Sequence, residues 1–309
     1  MFKKKKTPSP KNDTKVAAIV LCVFVFMVLS YILFSKHKAH HEQVARPSPA
    51  VQTSVPVESV RPVPVEETEP ASEEQAAPEP FKGAPGSGGK IAIIIDDWGQ
   101  SLTNCKYLKE IPEPLAVSIL PGLRHTKDVA ACAGLYHKVA MLHLPLEAMH
   151  NYDFYPPNYI IKTTMSPELV SQIVDEDLDQ LPTIEGVNNH MGSKATADRT
   201  LMKLILKKLK KRSLFFVDSM TSRYSVSAAL AQEMGLTYGK RDVFLDNISN
   251  REAMVKQFVV LAQKAHHKGY AVAITHDRPL SMLVLKEEIP WLEKQGCQIV
   301  SIKELLHNR

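Results

Sequence analysis

The chain has few cysteines, and they are not spaced as a metal or redox motif. Only four occur in 309 residues, and no two follow the CxxC pattern. Cys22 lies in an apolar run, which leaves Cys105, Cys132 and Cys297 as an odd number. They are expected to be small buried residues, although a disulfide between Cys105 and Cys132 stays open in an oxidising compartment.

The chain also lacks a charge excess that points to nucleic acid. Its formal net charge of +5 owes much to lysines within the first 15 residues. A second basic cluster, KKLKKR, lies in a helix predicted at residues 199–212, whose leucines and Ile205 form an apolar face. We interpret this cluster as the solvated side of an amphipathic helix, and no nucleic-acid partner is predicted.

Aromatic residues and helical periodicity are missing from about residue 46 to Phe81. The segment is rich in Pro, Glu, Val, Ala and Ser and leads into GAPGSGG. Such a composition buries too little apolar surface to offset its ordering entropy, which predicts a disordered linker over residues 35–89. Extended at ~3.1 Å per residue, about 45 residues could reach on the order of 100 Å.

One long hydrophobic run precedes this linker. Residues 16–34 contain no charge, which is enough for a transmembrane helix. Six lysines precede the run and two follow it, so residues 1–15 are predicted to be a cytoplasmic tail. We expect a single-pass membrane protein with a cytoplasmic amino terminus and an exported globular domain. A cleaved signal peptide is the competing interpretation, but no small-x-small site follows the run.

Residues 90–309 alternate short apolar runs with amphipathic stretches, as β/α units do. Strands are predicted near residues 91–95, 115–120, 139–143, 187–190, 214–217, 243–245, 271–275 and 299–300. Seven or eight such units in one domain predict a parallel sheet covered by helices, which is an α/β fold. The pattern does not say whether the sheet closes into a barrel.

The most informative motif is IAIIIDDWG at residues 91–99, an apolar run that ends in Asp96 and Asp97. The carboxyl ends of buried parallel strands are where α/β sheets place their chemistry. Adjacent strand residues point to opposite faces, so the two carboxylates share a cavity only if the chain bends. One would then bind a metal while the other handles protons. The competing interpretation is a helix cap and an ion pair.

Other predicted strand ends deliver an acidic or imidazole side chain in the same way. They are His143 in MLHLPLE, His190 in GVNNHMGS, Asp218 in LFFVDS and His276 in AVAITH. A hydrolytic metal site needs about three carboxylate or imidazole ligands and one open position. The strand ends therefore predict a shared divalent-metal site, with a capping or structural role as the alternative for each residue alone.

The segment RDVFLD places Arg241, Asp242 and Asp246 around another predicted strand. We expect a buried ion pair here that holds the floor of the site, rather than direct catalysis. Supporting or substrate-binding residues are accordingly predicted at Glu147, Asn189, Asp218, Arg241 and Asp246.

Taken in order, the motifs IIIDDWG, MLHLPLE, GVNNHMGS, FFVDS, RDVFLD and AITH resemble the divergent polysaccharide deacetylase family, a branch of the NodB-like carbohydrate esterases. The resemblance covers residues 90–309. It implies a NodB-like distorted (β/α) barrel with parallel strands and a divalent metal cofactor, with Zn²⁺ as the expected ion.

The resemblance also implies roles for individual residues. Asp96 matches the catalytic base, His276 the acid and Asp97 the metal-binding aspartate. The family's usual second motif has two histidines four residues apart, whereas here His143 has Glu147 at that spacing. His143 and His190 are therefore assigned as the other ligands, with Glu147 as a substitute.

The implied function is a membrane-anchored carbohydrate N-deacetylase acting on an envelope glycan such as peptidoglycan. The altered second motif and the long tether motivate an alternative. In that alternative the domain is a catalytically inactive module that binds glycan or serves as a scaffold.

Overall fold

The computed structural model describes residues 88–150 and 159–307. The predicted cytoplasmic tail, the hydrophobic run at residues 16–34 and residues 35–87 of the linker lie outside the described residues. Within the described ranges, every helix is too short or too polar to cross a bilayer.

The described strands form one sheet in which all pairings are parallel. They are β1 (Lys90–Trp98), β2 (Ala116–Ile119), β3 (Val139–Leu146), β4 (Gly186–Met191), β5 (Phe215–Asp218), β6 (Tyr238–Lys240), β7 (Val243–Phe244), β8 (Tyr270–His276) and β9 (Gln298–Ile299). Their order is β6-β5-β4-β3-β2-β1-β8-β7, and β9 pairs with the start of β1. No pairing among the described residues joins the edges β6 and β7. The predicted parallel α/β fold is confirmed, as a curled half-barrel.

Helices connect most of these strands. They are α1 (Cys105–Glu110), α2 (Thr126–Leu135), α3 (Pro167–Gln180), α4 (Arg199–Lys211), α5 (Ser227–Met234), α6 (Arg251–Lys268), α7 (Pro279–Lys294) and α8 (Ile302–His307). The side chains of Ser166, Asp198 and Asn250 accept backbone N–H groups at the starts of α3, α4 and α6. These caps satisfy donors that the first helical turn leaves without a partner.

The basic cluster on α4 is more than a solvated surface. Lys208 and Arg212 form ion pairs with Asp175 of α3, at 2.6 and 3.1 Å. Because these groups are partly exposed, each pair contributes at most about 1 kcal/mol. The cluster therefore helps to hold two neighbouring helices together.

Alternation along the strands divides the core between two faces of the sheet. Ile91, Ile93 and Ile95 of β1 pack with the helices, whereas Ala92 and Ile94 belong to a second cluster on the inner face. The inner cluster also contains Ala116, Met141, Val217, Ile274 and Leu306. This parity decides which side chains at the carboxyl ends of the strands reach the same cavity.

Strand β3 is longer than the sequence predicts. The sequence places its end at His143, but all eight residues of Val139–Leu146 are strand and buried. Proline is normally unfavourable inside a sheet because it has no N–H to donate. Pairing with β2 stops at Leu142, and the carbonyl of Pro145 accepts the N–H of Ile161 on that side. The missing N–H of Pro145 therefore interrupts no ladder.

The described cysteines are free thiols. Burial raises the pKa of Cys105 to about 12 and that of Cys297 to about 11. Both thiols are therefore protonated at neutral pH, which does not suit a nucleophile or a metal ligand.

Candidate metal and catalytic site

Polar side chains of the inner face surround a cavity at the carboxyl ends of the strands. Asp96 of β1 lies beside His276 of β8, and His143 of β3 lies beside Asn188 of β4. The cavity has a volume of about 210 Å³, and its lining includes Asp96, His143, His190 and His276. Residues that are distant in sequence therefore meet in one place.

The backbone of Asp97 explains how two adjacent aspartates approach the same histidines. Parity places Asp96 on the inner face with Ile94 and would turn Asp97 toward the helices. The pairing of β1 with β2 shifts register between Ile95 and Trp98, and Asp97 has a φ of 66°. This left-handed conformation costs about 1–2 kcal/mol for a residue other than glycine. It returns the second carboxylate to the side of the first, which is the bend that the sequence requires.

Asp97, His143 and His190 form a compact group of candidate metal ligands, called the triad below. Asp97 Oδ1 lies 3.3 Å from His143 Nε2 and 3.0 Å from His190 Nδ1, and the two nitrogens are 3.2 Å apart. Among the described residues, Asp97 Oδ1 is a buried oxygen without a hydrogen-bond partner. An unpartnered oxygen facing two ring nitrogens is an arrangement that a cation would satisfy.

The dimensions of this group fit a small divalent cation. A tetrahedral zinc ion with bonds of about 2.0–2.1 Å separates neighbouring ligand atoms by about 3.3 Å. The observed separations of 3.0–3.3 Å agree with that spacing. One carboxylate and two imidazoles are also a donor set that zinc accepts, and three protein ligands leave a coordination position open.

The charges of the group favour a bound cation. Burial alone would raise the pKa of Asp97, but the two imidazoles lower it well below its usual range. Burial likewise lowers the pKa of His143, yet the neighbouring Asp96 and Asp97 raise it overall. A cation at Nε2 would take the place of the proton that these carboxylates attract, so metal affinity should fall at acid pH.

Asn188 links the metal ligands to the neighbouring carboxylate. Its Oδ1 accepts the Nδ1–H of His143 at 2.8 Å and a hydrogen bond from Ser118, and its Nδ2 donates to Asp96 Oδ1 at 2.8 Å. With Nδ1 protonated, His143 presents the lone pair of Nε2 to the other ligands. Asn188 is fully buried.

The turn after β4 positions His190. Met191 has a φ of 52° and Gly192 a φ of 88°, so the chain leaves the sheet abruptly. A Cβ on Gly192 would come within 2.9 Å of Leu146 Cβ, which excludes larger residues there. The carbonyl of Gly192 accepts both the N–H and the hydroxyl of Thr196, which anchors the turn.

Asp96 is buried beside the triad without belonging to it. Its Oδ2 is 3.6 Å from His143 Nε2, and burial raises its pKa although His143 opposes the shift. A carboxylate with a raised pKa is a stronger proton acceptor. Asp96 is therefore suited to take a proton from a water molecule in the cavity.

His276 is held by a carboxylate rather than by an amide. Its Nδ1 lies 2.9 Å from Asp246 Oδ1, and Asp246 Oδ2 accepts the backbone N–H of His276 and the hydroxyl of Ser281. Burial alone would lower the pKa of His276, but Asp246 raises it overall. With Asp246 holding Nδ1, Nε2 is the ring nitrogen left to donate a proton in the cavity.

Glu147 does not join the candidate ligands, although its spacing from His143 suggested a substitute. Its Oε2 accepts the N–H and hydroxyl of Thr163, and its Oε1 pairs with Lys194 at 2.8 Å. β3 stays extended to Leu146, and four residues along a strand span about 13 Å, so Glu147 lies beyond the reach of the group around His143.

Asn189 and Asp218 hold backbone rather than a metal. Asn189 Oδ1 accepts the N–H of Ser219, and its Nδ2 donates to the carbonyl of Met191. Asp218 accepts the N–H of Met220 and the hydroxyl of Ser225. Asp218 continues the outer-face series of its strand, whereas Asn189 also contributes to the lining of the cavity.

The ion pair expected within RDVFLD does not form. Arg241 donates to two backbone carbonyls, Asp242 pairs with Lys268 and Asp246 binds His276. Arg278 is the nearest arginine to Asp246, at 3.8 Å. The short strand β7 separates Arg241 from Asp246, and each group finds a closer partner.

Sequence reasoning missed Asn188, Ser118 and Phe244. The two-residue side-chain period of a strand could have identified Asn188. It places Asn188 on the same face of β4 as His190 and Asn189 on the other. Ser118 has the same parity as the inner-face residue Ala116. Phe244 lines the cavity, and its ring centroid lies 5.2 Å from that of His276. No polar pattern marked it.

Comparison with known sequences finds a matching family profile and similar proteins. The sequence profile of the divergent polysaccharide deacetylases matches residues 93–306. The uncharacterized protein YibQ of Escherichia coli is 30% identical over 210 residues, 67% of this chain and 64% of that protein. An uncharacterized protein of Haemophilus influenzae is 30% identical over 219 residues, 71% of this chain and 77% of that one. The matched region is thus a little under two thirds of the Escherichia coli relative.

Comparison with solved structures supports the fold. The crystal structure of the uncharacterized protein ATU2773 from Agrobacterium tumefaciens superposes with a TM-score of 0.67. That alignment covers 73% of this chain and 92% of the other, at 19% sequence identity. At this identity the likeness extends to the fold alone.

Proposed function

This chain belongs to the divergent polysaccharide deacetylase family, and from that premise we propose that it is a metal-dependent N-deacetylase of an envelope polysaccharide such as peptidoglycan. The observation that carries the proposal is the convergence of Asp97, His143 and His190 beside Asp96 and His276 around one cavity. We take zinc as the expected ion because of the donor set and the ligand spacing.

In this proposal the triad holds the cation and other residues move protons. When bound, the cation would supply a Lewis acid that polarises the acetamide carbonyl. Asp97 contributes a carboxylate that is ionised at neutral pH, because the imidazoles lower its pKa. The amide of Asn188 holds His143 in the tautomer that a ligand requires.

Asp96 and His276 divide the proton transfers. Asp96 accepts the proton of the attacking water, since burial raises its pKa. Asp246 raises the pKa of His276, which favours the protonated form that donates to the nitrogen of the departing amine. Proton transfers of this kind typically contribute about 10²–10⁴-fold each to a rate.

Acetate release tests this function. We would load the full chain with zinc, incubate it with N-acetylated peptidoglycan and measure free acetate. Asp96→Asn should abolish release, whereas Asp128→Asn on an exposed site of α2 should not. Absence of release from the wild-type chain on any N-acetylated glycan would falsify the enzyme proposal. Retention on sacculi without turnover would instead favour the binding module.

We also propose that residues 16–34 anchor the chain in the inner membrane and leave the domain in the periplasm. The support is the uncharged run and the lysine bias around it. The test is fractionation followed by protease treatment of spheroplasts. The domain should fractionate with membranes and be digested from outside. A full-length domain that resists external protease in intact spheroplasts would contradict the orientation.

A further inference from the structure

Arg241 is a half-buried cation that contacts two backbone carbonyls and an aromatic ring, all of them uncharged. Its Nε donates to the carbonyl of Ser219 at 2.7 Å, and its Nη2 donates to the carbonyl of Met220 at 3.0 Å. The guanidinium carbon lies 4.6 Å from the ring centroid of Phe244. Two carbonyls and a ring therefore fix the plane of the guanidinium.

The charge of Arg241 is not neutralised by a contact. Within the described residues, no carboxylate lies within the 4.0 Å of an ion pair with it, and Asp96 and Asp218 attract it only from farther away. Burial lowers its pKa, but a guanidinium stays charged in proteins. Its two contacts use two of five N–H donors, which leaves donors for a group outside the described chain.

A second cavity shares two lining residues with the candidate active cavity. Its volume is about 330 Å³, and Arg241 and Phe244 line both this cavity and the candidate active cavity. Asn247, Gln257 and Lys264 add polar groups to its wall. The two cavities therefore share Arg241 and Phe244 in their walls.

The balance of charge in the second cavity is positive. Lys264 donates to the backbone carbonyl of Asp242 and has no ion-pair partner among the described residues. Asp242 is the acidic residue of the lining, but its carboxylate is engaged by Lys268 and by the N–H of Val272. Arg241 and Lys264 therefore present positive charge that the lining does not offset.

We propose that Arg241, aided by Lys264, binds an anionic substituent of the substrate, a carboxylate or a phosphate carried on the sugar chain. The acetamido group would occupy the active cavity while the anion lies in the second one. A guanidinium with a fixed plane suits either anion, because both accept two parallel N–H bonds. The inference rests on the proposed function for its glycan and specifies that the glycan is acidic.

Equilibrium binding to the full chain tests this inference apart from catalysis. The probes are an N-acetylated disaccharide bearing a carboxylate, its neutral methyl ester and a phosphate-bearing counterpart, each titrated calorimetrically. An acidic probe should bind about tenfold or more tightly than the ester, as charged hydrogen bonds predict. A response to one acidic probe and not the other assigns the anion. Equal affinity of all three would overturn the proposal.

Variants connect the preference to these residues. Arg241→Lys should remove most of the preference, and Lys264→Gln, an exposed change, should reduce it by a few fold. Lys256→Gln on the exposed side of α6 removes the same charge outside the cavity and should change nothing. A preference that persists in both cavity variants refutes the assignment.

Turnover measurements distinguish a failure of this proposal from a failure of the proposed N-deacetylase function. If Arg241→Lys lowers kcat equally on acidic and neutral substrates, Arg241 acts on Asp96 and the proposal is wrong. If it raises KM for the acidic substrate alone, the proposal holds. If no substrate is turned over but the binding preference remains, the N-deacetylase fails and the anion site stands.

Discussion

His143 and His276 face the same cavity, but chemically different groups hold their Nδ1 atoms. Asn188 holds His143 with a neutral amide, whereas Asp246 holds His276 with a buried carboxylate. The amide fixes the tautomer and raises the pKa of His143 less than the two neighbouring aspartates do, which suits a ligand. A carboxylate stabilises the imidazolium, which suits a proton donor.

The groups that hold the two Nδ1 atoms therefore suit the two histidines to different tasks, metal binding for His143 and proton donation for His276. On one side, the charge that attracts a cation comes from Asp97, which lies beside the ring nitrogens themselves. On the other, Asp246 lies behind the ring and has the larger effect on the proton, while Asp97 Oδ2 acts more weakly from 3.8 Å in front of Nε2. The predictions that follow separate these sides.

The largest effect is expected at Asp97. Asp97→Ala removes the only charged oxygen of the triad, so zinc affinity should fall by more than the ~100-fold that loss of a partner behind a ligand can cause. Metal content and calorimetric titration of the full chain measure this. Asp128→Ala, at an exposed aspartate, is the control. Stoichiometric zinc at unchanged affinity in Asp97→Ala would show that the triad is not the metal site.

Asp246→Asn should change the proton affinity of His276 and leave metal affinity unchanged. Because Asp246 raises the pKa of His276, the variant should lower that pKa, so the protonated form is lost at a lower pH. The alkaline limb of the rate profile should shift to lower pH, with a fall in kcat of about 10²-fold or more. Ser281→Ala removes a hydrogen bond to Asp246 but keeps the charge, and should shift the limb less. An unshifted limb would contradict the role of His276.

Asn188→Ala should lower metal affinity by less than Asp97→Ala does. Loss of the acceptor at Nδ1 frees the tautomer and ring of His143, which typically costs about 10–100-fold in metal affinity. The control is Asn250→Ala, which removes the side-chain cap of α6 and lies outside the lining of the cavity. It should reduce stability without changing metal affinity. Equal losses in the two variants would mean that Asn188 acts only through folding.

Glu147→Gln should have the smallest effect. Glu147 pairs with Lys194 and Thr163 rather than with the triad, so metal affinity should stay within about twofold of wild type. The partly exposed ion pair is worth at most about 1 kcal/mol of unfolding free energy. Calorimetric zinc titration and thermal denaturation check both expectations. A tenfold loss of affinity would return Glu147 to the list of ligands.

Much of the fold follows from local sequence. The alternation of apolar runs and amphipathic stretches predicts parallel strands covered by helices, and IIIDDWG correctly marks β1 as the strand that carries two carboxylates. The extent of β3 did not follow, because Pro145 is tolerated only where β2 has already ended. That condition depends on a neighbouring strand and is invisible along the chain.

The site was predictable where strand parity is respected. Asp96, His143, His190 and His276 continue the inner-face series of their strands, and they line one cavity. Asn189 and Asp218 lie one position off that series and support the loops beside the cavity through hydrogen bonds. Asp97 departs from strand parity because of its backbone conformation. The contacts of Arg241 with backbone carbonyls follow from no sequence pattern.

The left-handed backbone at Asp97 sets two demands on one residue. Glycine would adopt that conformation without a steric penalty, and would give a more relaxed β1. It would also delete the carboxylate that faces the two imidazoles. Position 97 can therefore be optimised for the folding of the chain or for the capture of a cation, but one amino acid cannot do both. A search for more stable variants would be expected to select against binding at this single position.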